Sequence, residues 1–286
     1  GSVLLTTGSV GAGHSGSISM SAGASTSGAA GDVQLIAGVS STANGGAVRI
    51  MAGNGGSQGG EIVMETGTSA VGKSGSMLFQ SGKNTGQGSG QISVDAGHAI
   101  EGDTGNIALT AGSSDLGVGG SVNMVAGNSV SSTGGSITLV TGKTAGDTAK
   151  SGNIEIGTSS SSSSGEILLT TGSSSEGESG GINLKSGSSF AGNSGSIQVS
   201  AGASVSGSGG DINILGSSSA TSTGGGVGIR SGSSMAGQSG SIQIATSESE
   251  IASTGSLSAH TGDSLASDSG AIDISSGDAT NSGGLS

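Results

Sequence analysis

The stretch with the most chemical potential is Gly67-Thr68-Ser69-Ala70-Val71-Gly72-Lys73-Ser74, which fits the pattern of a phosphate-binding loop. In that chemistry the loop amides cradle phosphate oxygens, the lysine neutralises them, and a following helix aims its N-terminus at them. No helix is encoded next. Gly75-Ser76-Met77-Leu78-Phe79 follows, a strand-like segment. The same glycine frame recurs without lysine from Gly187 to Ser194 and from Gly232 to Ser239, so Lys73 decorates a repeated turn. Gly11-Ala12-Gly13-His14-Ser15-Gly16 fits the dinucleotide-binding pattern and fails for the same reason.

Other reactive side chains do not converge. His14, His98 and His260 are far apart in the chain and occupy different places in its repeat. Glu176 with Glu178, and Glu248 with Glu250, are carboxylate pairs of the kind glycoside hydrolysis uses. No aromatic platform for a sugar accompanies them, and exposed acidic turn residues are the expected reading. A calcium-binding β-roll would show an aspartate column, and the carboxylates here form none. The expectation is no catalytic, cofactor-binding or metal-ligating residue: not an enzyme, and no cofactor.

The elements that would position any site follow from one recurring glycine. It stands at Gly1, Gly16, Gly31 and Gly46, then at Gly60, Gly75, Gly90, Gly105, Gly120 and Gly135, then at Gly152 and Gly165, and from Gly180 to Gly270 at every fifteenth residue. With that glycine as position 1, position 3 is aliphatic throughout, as in Ile18, Val48, Ile107 and Ile242. Position 5 is large and apolar, as in Met20, Leu35, Phe79 and Leu109, with Ala259 the small exception. Position 7 is Ala, Ser or Thr nearly throughout, and positions 2, 4 and 6 are mostly polar. Alternation at period two means an extended segment with one apolar face. Glycine at positions 1 and 8 brackets it, serine recurs at position 10, and glycine often recurs near position 13.

A period of fifteen residues points to a solenoid. Nothing recurs at helical spacing, and glycine within every turn opposes a helix by about 1 kcal/mol each. Disorder is the serious rival for a Gly/Ser-rich chain, but a disordered linker has no reason to keep phase. The expected fold is therefore all-β: a single narrow parallel β-solenoid (a β-helix or β-roll) of roughly nineteen coils. Coils about 4.8 Å apart would make a rod roughly 90 Å long. Residues 1–286 read as one continuous array without separate domains, a segment of a longer one, because the first repeat is ordinary and the last is cut at Leu285 and Ser286. The one slip in phase is an excess at residues 143–150, in a turn, offset by a deficit after Ile156.

Composition excludes several classes. The formal net charge is −12, with seven Lys and Arg in 286 residues, no Cys, Pro, Trp or Tyr, and two Phe. There is no basic stripe or stacking platform for nucleic acid, no disulfide framework or thiolate metal site, and no apolar run long enough for a membrane span. None of the eleven asparagines lies in an N-glycosylation sequon, whereas Ser and Thr are abundant, notably over residues 158–164.

The repeat unit Gly16-Ser17-Ile18-Ser19-Met20-Ser21-Ala22-Gly23 resembles the Gly/Ser-rich tandem-repeat proteins of diatoms and related algae along the whole chain. The resemblance implies a secreted or cell-surface protein and carries over no active site. The function expected is structural: an extracellular rod or fibre in a cell surface, wall, sheath or adhesive filament. Its partners would be copies of itself, end to end or side by side, with glycans on Ser or Thr hydroxyls. The alternative is an ice-binding solenoid. Positions 4 and 6, as in Ser19 and Ser21, Gln34 and Ile36, or Arg49 and Met51, lack the regular threonine rank that such a surface requires.

Overall fold

The computed structural model describes residues 1–84, 86, 88–145 and 150–277. The start of the last repeat, up to Leu285 and Ser286, lies outside them, as do residues 146–149 of the long turn. The chain divides into two units, Gly1–Asp147 and Thr148–Ser286. The division falls where the fifteen-residue phase of the sequence slips.

Within each unit the repeat resolves into two parts, an extended arm over positions 1 to 8 and a bent loop from position 8 to the next repeat. Every bend of the described residues lies in a loop, as at residues 26–28, 41–43, 70–72 and 115–117. Two local devices shape the loops. In most, the position-10 serine accepts the backbone N–H three residues on: Ser25 Oγ from Gly28 (2.9 Å), Ser69 Oγ from Gly72 (2.8 Å), Ser114 Oγ from Gly117 (2.9 Å), Ser204 Oγ from Gly207 (2.8 Å). Such serine turns give the backbone a local alternative to a ladder. In many of these loops the next position-1 glycine also donates to the position-8 carbonyl, as Gly46 does to Gly38 and Gly120 to Gly112, both at 2.8 Å.

That closure explains the periodic glycine. A Cβ on Gly120 would stand 3.1 Å from the Ala111 Cβ and 3.2 Å from the Gly112 nitrogen. One on Gly46 would stand 3.3 Å from the Ala37 Cβ. The small residue at position 7 is what the glycine closes upon. Ala37, Thr66, Ala111, Ala126, Thr141 and Ser231, all at position 7, are among the few half-buried residues.

The β-solenoid expected from the sequence is not what the chain forms. Among the described residues there is no strand and no helix. The backbone bonds among the described residues span one loop each, and none of these joins one arm to another as a ladder. No hydrophobic residue among those described is buried. The arms keep the sidedness that alternation implies, since Leu78 at position 4 is 80% exposed against 46% for Met77 and 66% for Phe79 on either side of it, and Leu116 in a loop is fully exposed. That sidedness does not become a core. The accessible surface is 28420 Å² for 26.2 kDa, against about 10,600 Å² for a compact chain of this mass and roughly 38,000 Å² for an extended one.

The physical reason is that alternation specifies an extended backbone and an apolar face, but a strand also requires a second backbone within hydrogen-bonding distance. Two large apolar side chains in fifteen residues provide little burial to offset the ordering entropy of a chain with 63 glycines. The Gly/Ser composition therefore outweighs the period, and what remains ordered is local.

Candidate functional site

The phosphate-loop match at residues 67–74 is one of these closed loops. One of its amides is committed within the loop, where Gly72 donates to Ser69 Oγ at 2.8 Å, and the loop is closed just beyond the match by Gly75 donating to the Gly67 carbonyl at 2.9 Å. A phosphate cradle needs those N–H groups free and convergent. Lys73 stands exposed beside the bend. In the glycine pattern at residues 11–16, Gly13 takes φ +93°, and no helix follows.

The remaining candidates are all exposed and are not brought together. His14 and His98 belong to the first unit and His260 to the second. Glu176 and Glu178 flank Gly177, whose N–H is held by Ser174 Oγ at 3.0 Å, and Glu248 and Glu250 flank Ser249, which accepts from Ala252 at 3.2 Å. Both carboxylate pairs thus ride on serine turns. Asp95 accepts a hydrogen bond from Ser93 Oγ, two residues before it on the same arm, at 2.5 Å.

Among the described residues there is no cavity, and no group of three or more His, Asp or Glu side chains is placed to hold a metal ion. No described helix is long and apolar enough to cross a membrane.

What the molecule does present is a repeated set of features that sequence reasoning saw only in part. One is the serine clamp, legible as the position-10 column. Another is the position-7 seat, legible as a column of small residues facing an obligatory glycine. The third is a row of ordered aliphatic residues standing half to three-quarters in water. Comparison with known proteins adds no identity: no family model matches the chain, and no curated protein or solved structure is similar to it.

Proposed function

We propose that this chain is a non-enzymatic structural protein of an extracellular or cell-surface layer, which associates side by side with copies of itself into fibres. The observation that carries the reading is the exposed aliphatic pattern. Position-3 and position-5 residues such as Ile62, Met64, Ile92 and Val94 recur on arm after arm and are only partly covered. Monomeric soluble proteins rarely leave large ordered apolar patches uncovered. A second copy carries the same residues at the same spacing, so registry between copies is built into the period. The low charge density, with Lys and Arg seven and Asp and Glu nineteen in 286 residues, leaves little repulsion to oppose that approach.

The polar half suits a hydrated outer surface. The hydroxyls of residues 158–164 are exposed and fit glycan attachment. The resemblance to algal Gly/Ser-rich repeat proteins supports the same location. Sedimentation across a concentration series, with electron microscopy of the assembled fraction, tests the reading. Concentration-dependent, salt-insensitive fibres are expected. A monodisperse monomer at high concentration would overturn it. Intact mass of native material, heavier than the bare sequence by hexose-sized steps, is the expected sign of glycans.

A further inference from the structure

We propose that Asn44 and Asn54 are sites of spontaneous, enzyme-free deamidation, and that they age before any other asparagine in the chain. The repeat sorts the asparagines by the residue on their C-terminal side. Those on arms, at Asn106, Asn123, Asn153, Asn183 and Asn213, each precede a column residue (Ile107, Met124, Ile154, Leu184, Ile214). Those in loops precede small residues, and only Asn44 and Asn54 precede glycine. There is no Asp-Gly step in the sequence.

The chemistry makes that next residue decisive. The backbone nitrogen of Gly45 attacks Cγ of Asn44. The new N–Cγ bond replaces the Cγ–Nδ2 bond, and the amide nitrogen leaves as ammonia with the displaced proton. The product is a five-membered cyclic imide. Water then opens it at Cγ to give aspartate, or at the main-chain carbonyl to give isoaspartate; no electrons are transferred. A branched side chain on the next residue shields the attacking nitrogen and restrains the backbone rotation required, and glycine does neither.

The loop geometry agrees. Asn44 and Asn54 are exposed. The Gly45 N–H donates to no described residue, although Ala43 donates to Ser40 Oγ at 3.0 Å and Gly46 to the Gly38 carbonyl at 2.8 Å on either side of it. The Gly55 N–H likewise has no described acceptor, in a loop closed by Gly60 to Gly53 at 2.8 Å. Asn84 is the contrast: its Oδ1 accepts from Gly86 at 2.7 Å and its Nδ2 donates to Gly88 at 2.6 Å, so its amide is held. Each conversion adds one negative charge to a net of −12. Each isoaspartate adds a main-chain carbon inside a loop whose closure depends on its length.

The test uses the full-length chain, incubated at mildly alkaline pH and digested with trypsin. Arg49 and Lys73 place Asn44 in the peptide 1–49 and Asn54 in the peptide 50–73. Isoaspartate is expected in both before it appears in any other asparagine-containing peptide. Gly45→Ala should slow conversion at Asn44 several-fold and leave Asn54 unchanged. The variant is sterically mild, because a Cβ on Gly45 meets nothing closer than the Gly38 carbonyl oxygen at 3.6 Å. A Cβ on Gly55 would collide with the Gln58 carbonyl oxygen, so that site is not the one to alter. Equal conversion at Asn128, Asn193 or the arm asparagines, or no effect of Gly45→Ala, would overturn the proposal.

Discussion

Two successive loops, residues 97–105 and 112–120, share a length and a glycine frame and solve the same turn differently. In the second, Ser114 Oγ holds the Gly117 N–H, Gly120 donates to Gly112, and the Gly120 Cα sits against Ala111. In the first, Ala99 occupies the serine place and offers no acceptor. Gly102 instead takes φ +86°, and a Cβ on Gly105 would meet nothing within 4 Å. The first repeat behaves like the loop at Ala99: Val10 stands at the serine place, and Gly13 has φ +93°. Asn84 makes an intermediate form, with its own side-chain turn and Gly88 at φ +124°. With a clamping hydroxyl at position 10, position 13 does not take positive φ, and Ala43, Ser132 and Ala252 can occupy it. Where Val10, Asn84 or Ala99 stands in its place, position 13 or 14 is a left-handed glycine. The loops with Gly55 and Ser159 at the serine place show neither the hydroxyl clamp nor a left-handed glycine. The clamped loops ending at Gly180, Gly195, Gly255 and Gly270 lack the closing bond among the described residues.

The largest effect should come from crowding the closed loop. Gly120→Ala must push its Cβ into the 3.1–3.3 Å shell of Ala111 and Gly112. We expect a loss of about 1–3 kcal/mol in loop closure, the usual cost of overpacking. Amide hydrogen exchange at residue 120 reads it directly. Gly105→Ala, in the open loop, should change exchange little. Equal effects at both glycines would erase the distinction between the loops.

The next effect separates the two turns by handedness. Gly102→Ala forces an L side chain into φ +86°, a cost of about 1–2 kcal/mol. Gly28→Ala, at the same place in a clamped loop, has Ser25 Oγ at 3.6 Å and no positive φ, and Ala43 already stands there in the following repeat. It should be neutral within about 0.5 kcal/mol. Chemical shifts across each loop should move for the first variant and hold for the second.

The arm between these loops, residues 105–112, should be less sensitive than either turn glycine. Ile107 is 53% exposed, so Ile107→Asp forfeits only about half the worth of a buried isoleucine, on the order of 1 kcal/mol. The several kcal/mol that a core column would lose is not expected. Ala108→Asp, on the exposed even position, should be near neutral. In assembled material the gap between these two variants should widen, because a second copy would cover Ile107 and leave Ala108 outside. A gap that is the same before and after assembly would argue against the aliphatic arms as the contact.

This pattern also marks what was legible in the chain. The period, the glycine-bracketed extended arm, and the greater exposure of Leu78 than of Met77 and Phe79 beside it follow from local alternation and glycine placement, which single residues encode. The absence of a ladder was not legible. Whether Ile107 meets the equivalent residue of the next arm depends on distance between backbones, and no residue type reports that. The phosphate-loop match at Lys73 is discounted in the sequence because no helix follows it; that the Gly72 amide is taken by Ser69 Oγ emerges only from the turn. The left-handed Gly102 was hidden among many glycines. Its signal is the alanine three residues earlier, where other repeats carry serine.

The smallest effect is the sharpest test of the comparison, because it exchanges the two devices. Ser114→Ala removes the acceptor of the Gly117 N–H, and Ala99→Ser supplies one to Gly102. A single exposed side-chain-to-backbone bond contributes about 0.5–1 kcal/mol, so neither variant should do more than tune its loop. The direction is what matters. Loss of the hydroxyl should speed exchange at Gly117 and let that glycine drift toward positive φ, as Gly102 does. Gain of the hydroxyl should slow exchange at Gly102 and make Gly102→Ala tolerable in the double variant. In the double variant the strain of about 1–2 kcal/mol at φ > 0 should disappear, because the turn no longer requires that conformation. The coupling is therefore predicted to be larger than either single effect at the serine place. Additive behaviour of Ala99→Ser and Gly102→Ala would show that the handedness of the loop is set elsewhere, and that the serine clamp follows the turn instead of choosing it.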